Sequence, residues 1–457
     1  MLTLREFLKT LDDQGEVLHV HREIPLKYEV GKILMRLYHD PRQPTVMFHK
    51  PGGKNIPLVA NVFSTREKAA LAIGTTVEKM NEKVLNSLKN PIKPEIIKKA
   101  PCQEVTINQA DADLDDFPIP TYSPGDGGPY ITPAIIVSRD PETGLYDMGH
   151  YRFQVIGKNK FSFLAQPFHR FGANVNKAKK MGVPIDAAML IGYDPVLGYA
   201  GQAKVGEADD FSVAGGLYGE PLKLVKCKTI DMLVPATAEV IFELSVNYNE
   251  QFNEGPLGEY TGYYTPPSDK PTATIKAITH RKDPIFQALL TGKPAPVTEN
   301  HILKEIPFEA SLYGQLKGQF PTLKAVSIPP FGGVQACVIA SIAPRFAGEA
   351  KQLAMAILSS FVAPKWAIVV DTDINIFDMN DVMWALSFRF RAERDLFKIK
   401  DALPVPLDPS SREDGNQHTK TAVGLDATIP VGVEYPEVAD VPGWDEIDIP
   451  ELEKMGK

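Results

Sequence analysis

The chain opens on a helical period. Leu4, Phe7, Leu8 and Leu11 recur at three- and four-residue spacing and Gly15 stops the run, so residues 2–14 are predicted helical. A strand at 16–20 and a helix at 28–38 follow. Short apolar runs at 45–48 and 58–62 read as strands. Ser64-Thr65-Arg66-Glu67 places an N-cap before a helix over 68–71, and 76–89 is a further helix. These elements make an α+β unit that runs out in the Lys- and Pro-rich stretch 90–101, expected as a linker. The period then shortens. Apolar segments at 102–108, 134–139, 151–157, 161–165, 187–191, 238–244, 272–280 and 285–290 are punctuated by turn residues and interrupted by one helix at 175–181. Many short strands favour a barrel over a doubly wound sheet. From 301 helices at 301–315, 347–359 and 382–388 alternate with strands at 325–328, 334–342 and 366–371, a third, α/β unit. Residues 403–457 are rich in Pro and Asp with little periodicity, and are expected to lie extended on another subunit. The expected organisation is therefore α+β: an N-terminal domain 1–101, a barrel 102–300, an α/β domain 301–402 and a tail 403–457.

Composition narrows the classes. Of 457 residues, 44% are hydrophobic and 23% charged, which is ordinary for a globular protein. The net charge of −8 and the lack of a basic stripe with interleaved aromatics argue against a nucleic-acid surface. The 39 prolines suit many turns. Three cysteines, Cys102, Cys227 and Cys337, lie too far apart for a metal motif or a disulfide framework, and a reducing compartment is expected. The N-terminus is charged and amphipathic, and no run of about 18 apolar residues occurs. The expected location is the cytoplasm, with no membrane and no nucleic-acid partner.

The chemistry concentrates in residues 253–264, NEGPLGEYTGYY. Glu254 and Glu259 would point to opposite faces of a continuous strand, five residues apart. Gly255, Pro256 and Gly258 between them argue for a turn that brings both towards one pocket. Two carboxylates held close in poor solvent compete for one proton, which suits a general acid; an acidic surface turn is the alternative reading. Elsewhere, Arg152 closes the run Asp147-Met148-Gly149-His150-Tyr151-Arg152, where Gly149 would let a ligand approach the backbone and Arg152 could hold a carboxylate bidentately. His169 follows Gln166-Pro167-Phe168 and on its own reads as structural. Asp209-Asp210 on its own reads as a solvated acidic loop. Asp147, His169 and Asp210 together would make an N/O set suited to Mn²⁺ or Mg²⁺, though no regular spacing marks them.

Over nearly its whole length the sequence resembles the UbiD family of reversible decarboxylases. The resemblance is carried by LREFLKTLDDQGEVLHV, NVFSTREKAALAIG, DGGPYITPAIIVSRDPETG, MGHYRFQVIG, VAGGLYGEPLKLVKC, VPATAEVIFE, EGPLGEYTGYY and KWAIVVDTDINIFDMNDVMWA. It implies a carboxy-lyase with a central split β-barrel. The cofactor would be prenylated FMN, supplied by a partner flavin prenyltransferase, with Mn²⁺ (or Mg²⁺) at its phosphate and K⁺ (or Na⁺) nearby. Matched by motif, Arg152, Glu254 and Glu259 are the implied catalytic network, with Glu259 the proton donor. Asp147, His169 and Asp210 are the implied metal ligands, departing from the family's usual Asn and Glu at the first and third. Gly149 lies with them in the cofactor site, and Lys365 is a weaker match for a phosphate contact. The implied substrate is an aromatic, heteroaromatic or α,β-unsaturated carboxylic acid, walled in part by residues 300–309. Lys304 is the one cation of that stretch placed for a second acidic group, and Phe308 favours a ring. A homodimer or homohexamer is implied. The same network would serve a carboxylase running in reverse, or a flavoprotein subunit of a larger carboxylase; a non-catalytic flavin-binding component has no use for a proton donor.

Overall fold

The computed structural model describes residues 2–203, 209–405, 407–413, 417–439, 441, 443 and 447. The first helix, Leu4–Asp13, starts on a capping box in which Thr3 and Glu6 satisfy each other's backbone N–H groups. It buries Leu4, Phe7, Leu8 and Leu11, the four residues whose spacing predicts it. The helix Arg66–Ala72 likewise begins on Thr65, whose hydroxyl accepts from the Lys68 N–H.

The N-terminal sheet runs in the order Val17–Ile24, Thr45–Pro51, Leu58–Ala60, Phe286–Gln287. Its last strand comes from the middle of the chain. The segment expected at 285–290 as part of the barrel instead continues this sheet, and stitches the first unit to the second. The expected linker 90–101 is also structured: Glu95–Ile97 pairs in parallel with Lys223–Lys226. A Pro-flanked three-residue strand carries too little periodic signal to be seen in the sequence.

The middle unit is a closed antiparallel barrel of six strands. Their order is Val240–Glu254, Asp186–Ile191, Tyr130–Arg139, Tyr146–Gly157, Lys160–Phe163 and Ser268–His280, and the last pairs back onto the first. Val105–Asn108 pairs with residues 277–280 of Ser268–His280, beyond the stretch that meets Lys160–Phe163. Phenylalanines form much of the associated core. Phe153 stacks on Phe163 at 5.1 Å and meets Phe161 edge-on at 5.7 Å, and Phe163 stacks on Phe171 at 5.3 Å.

The third unit is a five-stranded sheet, ordered Leu323–Ser327, Cys337–Ile342, Trp366–Val370, Lys420–Ala427, Leu396–Ala402. Lys420–Ala427 lies inside this sheet, parallel to Trp366–Val370 and antiparallel to Leu396–Ala402. The expected division at 402/403 therefore cuts a folded domain, and an extended tail can begin only after residue 427. Part of the expected tail lies outside the described residues.

Candidate active site

Arg152 stands on the barrel strand Tyr146–Gly157. The neighbouring strand bulges between Ile131 and Ala134, opposite it, where Pro133 cannot donate to the ladder. Arg152 and Gln154, two residues apart, share a face and divide the work. Gln154 fixes the acidic turn: its Oε1 accepts from the Gly255 N–H at 2.9 Å and its Nε2 donates to the Gly127 carbonyl at 2.9 Å. The strand Val240–Glu254 ends at Glu254 in a cis Gly255–Pro256 bond, with Gly255 at φ 107°. The backbone passes Gly127 so closely that a Cβ there would lie 2.2 Å from the Gly255 oxygen. Leu257–Gly258 then pairs with Tyr264–Thr265, and the Glu259 N–H donates to the Tyr263 carbonyl at 2.9 Å.

This fold-back brings both carboxylates to Arg152. Its Nη2 donates to Glu254 Oε2 at 2.9 Å, and its Nη1 donates to Glu259 Oε1 and to Thr265 Oγ1, the latter at 2.7 Å. The Tyr130 hydroxyl donates to Glu254 Oε1 at 2.9 Å, so both Glu254 oxygens are engaged. Glu254 is wholly buried and Glu259 is 8% exposed. Burial alone would lower the Arg152 pKa, but Glu259 and Glu254 hold it above its ordinary value. Burial, followed by Glu254, raises the Tyr130 phenol. Arg152 Nε is buried and has no hydrogen-bond partner.

The third unit braces the turn from outside. His301 Nε2 meets the Tyr260 carbonyl at 2.8 Å, and the Tyr260 hydroxyl donates to Gln335 Oε1 at 3.1 Å. Lys304 Nζ lies 4.1 Å from the Tyr260 ring centroid and 5.1 Å from that of Phe308. Burial pushes His301 down to about 4, which leaves it neutral near pH 7.

Asp147 and Asp210 are also brought together, through a residue the sequence reading missed. Arg170 Nε lies 3.3 Å from Asp147 Oδ1, and its Nη1 lies 3.0 Å from Asp210 Oδ1. Asp210 also accepts from the Met148 N–H at 2.6 Å. Burial, offset in part by Arg170 and reinforced by Asp147, pushes Asp210 up to about 7. Asp210 begins a buried helix, Asp210–Tyr218, in place of the solvated loop its sequence suggests. Gly215 and Gly216 are the close-packing surface of that helix: a Cβ on Gly215 would lie 2.5 Å from the Ile92 carbonyl. His169 is the N-cap of the helix Arg170–Met181, with Phe168 and Tyr151 edge-on to its ring at 4.8 and 6.3 Å. Among the described residues no three His, Cys, Asp or Glu side chains form a metal-holding group. Gly149 makes room for a side chain: its Cβ would lie 2.8 Å from the Tyr151 ring. Lys365 donates to Asp408 at 3.0 Å and to Ser410. Leu407 and Pro409, flanking Asp408, line a small cavity with Thr261 and residues 263–265, so Lys365 anchors a segment at the back of the acidic hairpin.

Three family models match successive parts of the chain: the 3-octaprenyl-4-hydroxybenzoate carboxy-lyase N-terminal domain over residues 8–88, its Rift-related domain over 95–294 and its C-terminal domain over 301–427. An uncharacterised protein of Archaeoglobus fulgidus is 33% identical over 450 residues, covering 93% of this chain and 91% of its own. The UbiD-class enzyme HmfF from Pelotomaculum thermopropionicum, in complex with FMN, superposes with a TM-score of 0.91 at 33% identity over 98% of this chain and 100% of that one. An evolved dimeric form of the same enzyme, in complex with prFMN, gives 0.88 at 32% identity over 98% and 99%. The vanillic acid decarboxylase of Sedimentibacter hydroxybenzoicus, in closed form, gives 0.88 at 29% identity over 100% and 99%.

Proposed function

The chain belongs to the UbiD family of carboxy-lyases, and on that premise we propose that it is a reversible, non-oxidative decarboxylase of an aromatic, heteroaromatic or α,β-unsaturated carboxylic acid that uses prenylated FMN. The observation that carries this reading is the buried row Glu254–Arg152–Glu259 with Arg152 Nε left over. A buried guanidinium nitrogen without a partner is costly, and a substrate carboxylate is the natural acceptor for it.

Prenylated FMN, when bound, supplies the electron sink for loss of CO₂, which no side chain offers. The protein's own residues handle charge and proton. Glu254 has Arg152 on one oxygen and Tyr130 on the other, so both of its oxygens are occupied and its side chain is fixed in place. Glu259 is the less buried member of the pair and shares Arg152 with Thr265, so it is the one placed to pass a proton to substrate. In this reading Arg152 orients the substrate carboxylate, and Glu259 delivers a proton to the carbon that has lost CO₂. In the carboxylation direction the same residues act in reverse. A non-catalytic flavin carrier would leave this buried row without a purpose.

For the cofactor's phosphate end, Asp147 and Asp210 offer hard oxygen donors that fit Mn²⁺ or Mg²⁺, with His169 on the adjoining helix cap. Arg170 is the cation that neutralises the two acids in this arrangement. The substrate ring would lie towards Phe308, with Lys304, which sits over Tyr260 and donates to Gln335 Oε1 at 3.4 Å, as the cation beside a second acidic or phenolic group. The relative named for vanillic acid decarboxylation supports a ring substrate. The test is co-expression with a flavin prenyltransferase, followed by a screen of aromatic and heteroaromatic acids for CO₂ release. Turnover that needs the prenylated cofactor and vanishes in Glu259→Gln supports the reading; turnover that survives that substitution overturns it.

A further inference from the structure

The N-terminal unit carries a histidine cluster that the proposed reaction does not use. His19 and His21 stand two apart on the strand Val17–Ile24, so both point to one face. His49, on the neighbouring strand Thr45–Pro51, brings its ring to the same place. The His21 and His49 rings stack with centroids 4.3 Å apart and planes at 10°, and His19 lies 5.2 Å from His49. Asp12, at the end of the first helix, closes one side: its Oδ1 lies 3.1 Å from His19 Nε2. None of these four shares a described hydrogen bond or ion pair with Arg152, Glu254 or Glu259.

The decisive contact is His19 Nδ1 to His49 Nε2, 3.0 Å apart. Asp12 takes the Nε2–H of His19, which leaves the lone pair of neutral His19 on Nδ1, facing His49. A carboxylate that fixes a histidine tautomer so that the other nitrogen faces outward is the usual support behind a metal-bound imidazole. Two imidazole nitrogens bound to one tetrahedral zinc, each about 2.0–2.1 Å from the ion, lie roughly 3.3 Å apart. For an ion to replace the shared proton the present pair must open by about 0.3 Å and the rings must turn so that both lone pairs converge on it, with His49 passing to its Nδ1–H tautomer. His19 has a side chain 36% exposed, so an ion reaches the pair from solvent and water can complete its shell.

We propose that His19 Nδ1 and His49 Nε2 form a surface site for a borderline transition-metal cation of the Zn²⁺, Ni²⁺ or Cu²⁺ class, with Asp12 as its orienting carboxylate and His21 as the ring that packs His49 in place. Imidazole donors select these ions over the hard Mg²⁺ and Mn²⁺ suited to a phosphate. The site joins two paired strands and the first helix, so a bound ion ties the edge of the N-terminal sheet.

The test is equilibrium dialysis of the intact holoenzyme against Zn²⁺, compared with the His19→Ala/His49→Ala double variant. The expected result is one zinc per chain in the wild type beyond what the double variant holds. Asp12→Asn should weaken that zinc by about tenfold or more, since an orienting partner contributes on that scale, and His21→Ala should retain it. Electron paramagnetic resonance of the Cu²⁺ form should show coupling to two nitrogens that disappears in the double variant. Equal zinc in wild type and double variant, no zinc in either, or copper without nitrogen coupling overturns the proposal. The exposed positions of His19 and His21, and thermal unfolding of each variant without metal, separate loss of the site from loss of the fold.

Discussion

Tyr130 donates its phenolic hydrogen to Glu254 Oε1 at 2.9 Å, on the opposite oxygen from Arg152. Both groups are fully buried. The pair explains how the same chain keeps two carboxylates five residues apart in different roles. Glu254 has donors on both oxygens and little freedom, whereas Glu259 keeps an exposed edge. Tyr130→Phe removes the hydroxyl and nothing else. The expected result is a fall in kcat of roughly tenfold or more with KM little changed, because an unpaired buried acceptor costs about 1–3 kcal/mol and each 1.4 kcal/mol is tenfold in rate. Steady-state kinetics on the prenylated-FMN enzyme checks it; an unchanged kcat removes Tyr130 from the network.

Glu259→Gln should abolish turnover while leaving the fold and flavin content intact. The amide keeps the shape and its oxygen can still accept from Arg152, but it cannot deliver a proton. Flavin absorbance, thermal unfolding and CO₂ release are read together. Loss of flavin along with activity would make Glu259 a cofactor-binding group and not the acid.

Arg170 offers a separate test of the phosphate end. Arg170→Met leaves Asp147 and Asp210 buried beside each other without their shared cation. Removing one partner of a fully buried pair costs about 3–5 kcal/mol; with the Arg170 side chain 36% exposed, about 2 kcal/mol is expected. Added Mn²⁺ should restore most of that loss if the two acids are metal ligands. Asp210→Ala and His169→Ala should release flavin and metal more than they lower the unfolding midpoint. Denaturant unfolding with and without Mn²⁺, and metal analysis of the purified variants, decide it; full metal retention in Asp210→Ala would assign that residue to structure alone.

How much of this was legible depends on where each residue stands. The acidic turn was readable because Gly255, Pro256 and Gly258 have few other uses in sequence. Leu4, Phe7, Leu8 and Leu11 were readable because a helix with one buried face writes its period plainly. Arg170 was not, because beside His169 it looks like an ordinary first-turn residue, and its two acids lie 23 and 40 positions away (147 and 210 against 170). The strand Lys420–Ala427 was hidden for another reason. It lies between two neighbouring strands and fills buried positions with Lys420 and with Gly424 against the Phe397 ring, so its sequence lacks the polar–apolar alternation of a half-exposed strand. Tertiary partners, not local period, make both features.

Glu299 predicts a pH dependence. It is wholly buried and accepts from the N–H groups of Asn61, Val62 and Phe63 at 2.9–3.0 Å. Burial nonetheless pushes it up to about 7 from an ordinary 4.5, against those bonds and Lys68. A carboxyl with a raised folded pKa makes the native state bind the extra proton, so its contribution to stability is greatest below about pH 4.5 and falls as pH rises to about 7. Lys68, pushed down to about 8 by burial, acts only above that window, where the deprotonated form favours the fold. Glu299→Gln should therefore flatten the stability curve between pH 5 and 7 by about 2–3 kcal/mol relative to wild type. Urea unfolding across that range measures it, and parallel curves for the two proteins would rule Glu299 out as the source.

The third unit carries the prediction for assembly. Phe331, Phe346, Phe361, Trp366, Phe377 and Phe388 are each 39–68% exposed in the single chain. Large apolar surface of that kind marks an interface. Beyond the sheet, past a turn closed by the Val433 N–H to the Pro430 carbonyl at 3.1 Å, Val431, Val433 and Tyr435 also stand exposed. We expect at least a dimer with closed two-fold symmetry, joined through this unit. A truncation after residue 402 would remove Lys420–Ala427 from the sheet and test folding only. The informative cut falls after Pro430, which spares that strand and the Ile429 N–H bond to Asp371 at 2.8 Å. Light scattering should give a multiple of the 50.3 kDa chain for the full-length protein and a smaller mass, or a concentration-dependent one, for the truncation. Phe388→Glu should dissociate the assembly without the truncation, because a charge buried at an apolar contact is not tolerated. A full-length monomer would overturn the assembly itself; an undiminished oligomer in the truncation would leave the face around Phe388 as its basis and remove residues 431–457 from it.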